Sequence, residues 1–120
     1  MNKNEILNEI NIIEKRLGIQ LSDKYKQFLS EEVKDKDIYE IQTSRGDNVY
    51  LYNYKVLLER NETYSIQDVE PDYVLIGQDG DIGYFINVKS DDDRVYSLDL
   101  GALGSLEMDE EAKDIYKLIS

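Results

Sequence analysis

VLIGQDGDIGYFINVKSDDDRVYSLDLG, Val74 to Gly101, decides the fold. Its apolar residues come in short runs broken at Gln78 to Asp81 and again at Ser90 to Asp93, and both breaks are rich in residues that favour turns. Runs of this length with turn chemistry between them predict three strands, Tyr73 to Ile76, Gly83 to Val88 and Arg94 to Leu100, in an antiparallel meander. Upstream, Ile38 and Glu40 alternate with Tyr39 and Ile41. After a turn signal at Gly46, Asp47 and Asn48 come Val49, Tyr50, Leu51 and Tyr52, so a further pair of strands is predicted there. Between the two groups, Tyr54 to Asn61 reads as a short helix through Val56, Leu57 and Leu58, and Asn61 to Asp72 as a loop closed by Pro71, the single proline.

The flanks change period. Ile6, Ile10, Ile13 and Leu17 recur at the spacing of one helical face, which predicts a helix from about Asn4 to Leu17, stopped by Gly18. Ser22 then offers an N-cap hydroxyl, Asp23 favours the positive end of the helix dipole, and Tyr25, Phe28 and Leu29 form a second apolar stripe, giving a helical hairpin. At the other end Asp109 is expected to cap a last helix, with Glu110 and Glu111 in its first turn and Ala112, Ile115, Tyr116 and Ile119 on one face. Helices at both ends of a run of strands give an α+β fold: an N-terminal helical hairpin on an antiparallel sheet, with a short C-terminal helix. No Gly/Ser tract or repeat divides the 120 residues, so residues 1–120 are expected to form one domain.

Composition narrows function. Twenty-six acidic residues against fourteen basic ones give a net charge of −12, and there is no histidine and no cysteine. Disulfides, thiolate nucleophiles, zinc sites of the usual nitrogen and sulfur type, and Ser/His or Cys/His arrangements are therefore excluded. What remains is chemistry by carboxylates, lysine or tyrosine. Charge of this sign opposes binding to nucleic acid or to anionic membrane, both of which present phosphates. The N-terminal MNKNEILNEI holds no apolar stretch of secretory length, and the expectation is a soluble, cytoplasmic protein. The charge is lopsided: residues 1–67 carry twelve acids and ten bases, residues 68–120 fourteen acids and four bases.

Asp79 and Asp81 flank Gly80, with Asp91, Asp92 and Asp93 one strand further on, where a hairpin could bring some of these carboxylates together. The calcium-loop template fails, because from Asp79 its sixth position is Tyr84 and its twelfth Ser90. Plain turn chemistry accounts for both clusters, and neither a metal nor a cofactor is expected. Paired-carboxylate glycoside hydrolysis needs an apolar cleft, for which the chain offers no evident insertion. Tyr50, Tyr52 and Tyr54 alternate and would share a face, either as an exposed aromatic ladder for a partner or as strand residues packed on the sheet.

Two segments together resemble the SUKH superfamily. IIEKRLGIQLSDKYKQFL, Ile12 to Leu29, is similar to its N-terminal signature, in which a helix ends at glycine and a second helix carries Tyr-x-x-Phe-Leu; here Ser22 stands where proline is usual. Val74 to Gly101 is similar to its central hairpin, rich in glycine and aspartate. The resemblance implies a helical hairpin packed against a strongly bent antiparallel sheet, and a role without catalysis. Bacterial members are mostly immunity proteins that neutralise toxins, many of them nucleases, and fungal relatives are interaction hubs. The leading expectation is thus an immunity protein whose acidic surface meets a cognate, basic protein toxin. Its contacts are expected at Asp79, Asp81, Asp91, Asp92, Asp93 and Glu107, with Tyr50 and Tyr52 as anchors. A non-enzymatic scaffold module is the alternative.

Overall fold

The computed structural model describes residues 2–89 and 93–119. Helix α1 (Lys3–Leu17) begins one residue before the apolar spacing suggests, because Asn2 and Glu5 form a reciprocal capping box across its first turn. Ile6, Ile10 and Ile13 on its inner face are buried. The chain turns at Gly18 and enters α2 (Asp23–Phe28), whose cap is Ser22: its hydroxyl accepts from the Tyr25 N–H at 3.2 Å. Glu14 ties the hairpin together, accepting from the Leu21 N–H at 2.7 Å and pairing with Lys26 at 3.1 Å. One π-helical turn, Leu29–Val33, continues α2 and buries Leu29 and Val33.

Six strands follow in one sheet, in sequence order and all antiparallel: β1 (Glu40–Gln42), β2 (Asn48–Leu51), β3 (Tyr73–Asp79), β4 (Ile82–Asn87), β5 (Val95–Asp99) and β6 (Asp109–Ala112). Consecutive residues are buried in β3 (Val74, Leu75, Ile76) and β4 (Tyr84, Phe85, Ile86), so both faces of these central strands are covered. The sheet curls: Arg45, in the β1–β2 turn, forms an ion pair with Glu111 of β6, bringing the first hairpin to the last strand. Helices α3 (Tyr54–Thr63) and α4 (Ile66–Val69) lie between β2 and β3 in sequence and pack on β3, while α5 (Ile115–Ile119) packs against α2 and β6. The architecture is α+β, with the N-terminal helical hairpin, bent antiparallel sheet and short C-terminal helix read from the sequence.

Two elements differ from that reading. The segment 61–72 is not a plain loop, since it finishes α3 and includes α4, with Ile66 buried beneath it. Asp109 to Ala112 is a strand, not the first turn of the C-terminal helix. The local pattern of three acids suits a helix start, but the partners that hold the strand are remote. Ser97 donates to Glu111 at 2.7 Å, Arg94 pairs with Glu110 at 3.1 Å, and β5 supplies the ladder. The real cap is Asp114, which accepts from the Lys117 N–H at 2.9 Å.

Pairing between β2 and β3 is narrow, resting on Tyr50 opposite Gln78 and Leu51 opposite Gly77. The strands approach so closely there that a Cβ at position 77 would lie 2.6 Å from the Tyr50 carbonyl oxygen, so only glycine fits. The Tyr52 N–H still donates to the Ile76 carbonyl at 3.0 Å, after which the chain departs into α3 and β3 loses its neighbour on that side. Asn61, 1 % exposed, replaces it. Its Nδ2 donates to the Leu75 and Leu57 carbonyls, both at 2.8 Å, and its Oδ1 accepts from the Leu75 N–H at 2.9 Å and from Gln67 at 3.1 Å. Every hydrogen-bonding position of the amide that these partners can reach is used, and both backbone groups of Leu75 are satisfied.

Asn61→Ala should lower unfolding free energy by about 3 kcal/mol, because it leaves buried Leu75 groups unpaired. Asn61→Asp, of the same size but unable to donate to the two carbonyls, should lower it at least as much. Urea midpoints check both, and a loss confined to the alanine variant would mean that packing alone matters.

Asp114 supplies a pH test. Burial pushes its carboxyl up, but the Lys117 N–H, the Lys24 ammonium at 3.3 Å and the Tyr116 N–H outweigh burial and hold its pKa below the ordinary value. A depressed folded pKa adds stability above the unfolded value of about 4, and that stability disappears as pH falls through the folded value. Asp114→Asn keeps the capping oxygen but cannot titrate. Between pH 5 and pH 2 its urea midpoint should therefore fall less steeply than the wild type's, a comparison in which the acid background common to both cancels.

Candidate partner-binding surface

In a meander every second turn falls at the same end of the sheet, which decides where the acids gather. The β3–β4 hairpin closes with Asp79 opposite Ile82 and leaves Gly80 and Asp81 as its two-residue loop, with Gly80 at the positive φ of 57° that the first position of a type II′ turn requires. Ile82 in turn faces Asp99 on β5, so Asp79 and Asp99 stand in one row, two strand spacings or about 10 Å apart. The β1–β2 turn with Asp47 comes to the same end. Burial pushes the Tyr84 hydroxyl pKa up, and the charges of Asp47 and Asp79 push it further against the opposing Arg45, which puts all three charges near one ring. Asp109, opposite Ser97, begins β6 on the same side.

Asp79 and Asp81 therefore belong to one surface, and the structure adds Asp47, Asp99 and Asp109 to it. Glu107 is exposed in the segment that leads into β6. Asp93 does not join them: it lies past the far end of β4, which at about 17 Å of strand separates the two hairpin turns. Asp91 and Asp92 lie outside the described residues. Tyr50 is half-buried, its hydroxyl donating to the Asp37 carbonyl at 2.7 Å, but Tyr52 is a core residue, 1 % exposed, with its hydroxyl on the Gln78 side chain. The three alternating tyrosines form no surface ladder, because β2 ends at Leu51 and Tyr54 already starts α3.

Elsewhere several cations are in intramolecular pairs: Lys3 with Glu31, Arg16 with Glu62, Lys24 with Asp114, Lys26 with Glu14 and Arg94 with Glu110. At the turn end, Arg45 is taken by Glu111. Among the described residues Asp47, Asp79, Asp81, Asp99 and Asp109 have no ion pair, so this end of the sheet is negative. No three acidic residues are grouped so that they could hold a metal ion among the described residues, and no described helix is long and apolar enough to cross a membrane.

A helical hairpin leading into a curled six-stranded meander, with polar, shallow clefts and an acid-rich turn end, defines a small α+β module of the SUKH class. The chain belongs to the SMI1 / KNR4 family (SUKH-1), whose model matches residues 7–120. That family includes toxin-immunity proteins, and its domains are generally immunity or interaction modules rather than enzymes. No curated protein matches the chain.

Unpaired like charges about 10 Å apart repel most when the screening length exceeds their spacing. Asp81→Asn combined with Asp99→Asn, the latter keeping an acceptor for the Gly101 N–H, should raise the melting temperature by about 2 °C in 10 mM salt. The gain should vanish in 0.5 M salt. A gain independent of salt would show that these acids do not repel one another.

Proposed function

We propose that this chain is an immunity protein that acts in the cytoplasm, binding a basic protein toxin through the turn end of its sheet and neutralising it by occlusion. The observation that carries this reading is the grouping of carboxylates without ion pairs, Asp79, Asp81 and Asp99 with Asp47 and Asp109, at the turn end of the sheet, where Arg45 is taken by Glu111. A toxin that cleaves nucleic acid must itself be cationic where it meets phosphate, so such a surface is its electrostatic complement. Steering of this kind raises association rates by ~10 to 10³ and weakens with salt. No catalytic step is required, since covering a substrate-binding face is enough.

The test is to ask whether the neighbouring gene encodes a large secreted protein whose C-terminal domain kills cells, and to co-express that domain with this chain; the expected result is restored viability. The double variant Asp81→Asn, Asp99→Asn should slow association with the purified toxin domain by about tenfold at low salt and reduce the slope of rate against salt. Killing that persists while the chain is abundant and folded would overturn immunity against that toxin. Capture of several host proteins with moderate affinity, and no toxin, would favour a scaffold instead.

A further inference from the structure

We infer that the apolar surface where residues 100–108 meet the end of α4 is a docking site for an amphipathic basic segment of the partner. After β5 a 3-10 turn (Leu100–Ala102) leads into this stretch, and Leu100, Ala102, Leu103 and Met108 are half-buried against the core. Leu106 and Val69 lie outside that packing, 66 % and 44 % exposed. Gly104 brings the two together. A Cβ at position 104 would lie 3.7 Å from the Val69 Cβ, and Leu106 follows within about 7 Å along the chain. Single exposed apolar side chains are ordinary, but here two adjoin four that the core covers only in part.

The backbone of this stretch is fixed at several points. The Leu100 N–H donates to the Asp81 carbonyl at 2.8 Å, the Gly101 N–H to the Asp99 carboxylate at 2.8 Å, the Gly104 N–H to the Glu70 carboxylate at 2.7 Å and the Ser105 N–H to the Ala102 carbonyl at 3.0 Å. Leucines displayed on a backbone already ordered cost a partner little ordering entropy. The charge around them has one sign. Residues 61–88 and 95–112, which supply α4, the central strands and this stretch, contain no lysine or arginine. Asp68, Asp99 and Glu107, chain neighbours of Val69, Leu100 and Leu106, are exposed. A second copy would bring these acids against one another, and an anionic lipid surface is repelled in the same way. A segment with apolar side chains on one side and lysines or arginines on the other is the complement: the first cover the leucines, the second meet the acids at the rim, as in interfaces with an apolar centre. Asp99 also belongs to the turn end, so the patch continues that acidic surface with apolar contact area.

This docking site deepens the toxin-binding reading and rests on it for the identity of the partner, but not for the chemistry of the patch. The probe is a synthetic helical peptide with leucines on one face and lysines on the other, titrated into the isotopically labelled chain and followed by backbone amide shifts. Saturable shifts centred on residues 68–70 and 100–108 are expected. A scrambled peptide of the same composition should bind more weakly, and one with glutamate in place of lysine should not bind. Leu106→Ser, at an exposed position outside the core packing, should weaken binding about tenfold, the loss expected when burial of a leucine side chain is forfeited. Equal response to the scrambled peptide, shifts spread over every acidic surface, or indifference to Leu106→Ser would each overturn the site. A dimer in sedimentation that Leu106→Ser abolishes would assign the patch to a second copy and overturn it too. If the chain protects against its toxin while the peptide titration fails, the patch alone is wrong. If the titration succeeds and co-expression protects against no toxin, the patch stands and the immunity reading falls.

Discussion

The side-chain amide of Asn61 is the constraint on which the rest of the structure depends. A sheet can release one strand into a helix only if the backbone it leaves behind finds other partners, because an orphaned buried N–H or carbonyl destabilises by an amount comparable to a large share of a small domain's stability. Here β2 lies beside β3 for two registered pairs and then turns away into α3. Asn61, at the third turn of that helix, returns to Leu75 and makes the two bonds that a neighbouring strand would have made. The same amide holds Gln67, which reaches the Tyr73 carbonyl at 3.0 Å, so α3, α4 and the start of β3 are fixed by one buried network. With the helices anchored on β3, the first hairpin is free to curl toward β6, where Arg45 meets Glu111.

That curl also governs the electrostatics. A flat meander would spread its turns along a line, whereas a curled one draws the β1–β2 and β3–β4 turns and the start of β6 toward one another. Both Asp47 and Asp79 therefore act on the Tyr84 hydroxyl. The one cation of that region closes the curl through a carboxylate that is 11 % exposed, and so is consumed in holding the shape. What is left outside is negative. Surface pairs add little stability in water, so the pairing of lysines along the helical hairpin matters less for folding than for where it leaves the net field.

How much of this was legible depended on whether the deciding partner was local. The isoleucines of α1, the Ser22 cap and the Gln78 to Asp81 turn are local signals, and the structure has each where the spacing puts it. The strand at Asp109 to Ala112 has no local signal: its acids imitate a helix start, and only Arg94, Ser97 and Arg45, each at least 12 residues away, make it a strand. Tyr52 looks like its neighbours Tyr50 and Tyr54 until β2 is seen to stop one residue earlier. Asn61 looked like the end of a helix, and nothing in its neighbourhood announces that its partner is Leu75. At the candidate surface, Asp79 and Asp81 were readable from the turn, but Asp99 and Asp109 required knowing which strand ends coincide. The separation of Asp93 from them follows from the same topology.

The edges of the sheet explain why so many acids can be carried without inviting the wrong neighbours. The outer strands are short: β1 has three residues, and β6 has four with a register shift opposite Val95. Short, irregular, charged edges discourage edge-to-edge pairing with another copy, because each approach brings like charges together. A surface that repels its own kind is still attractive to a cationic one, so one and the same charge opposes like-with-like approach and favours a surface of the opposite sign. The acids of the turns lie apart from the amide network of Asn61, so they can vary without disturbing the contacts that fix the fold.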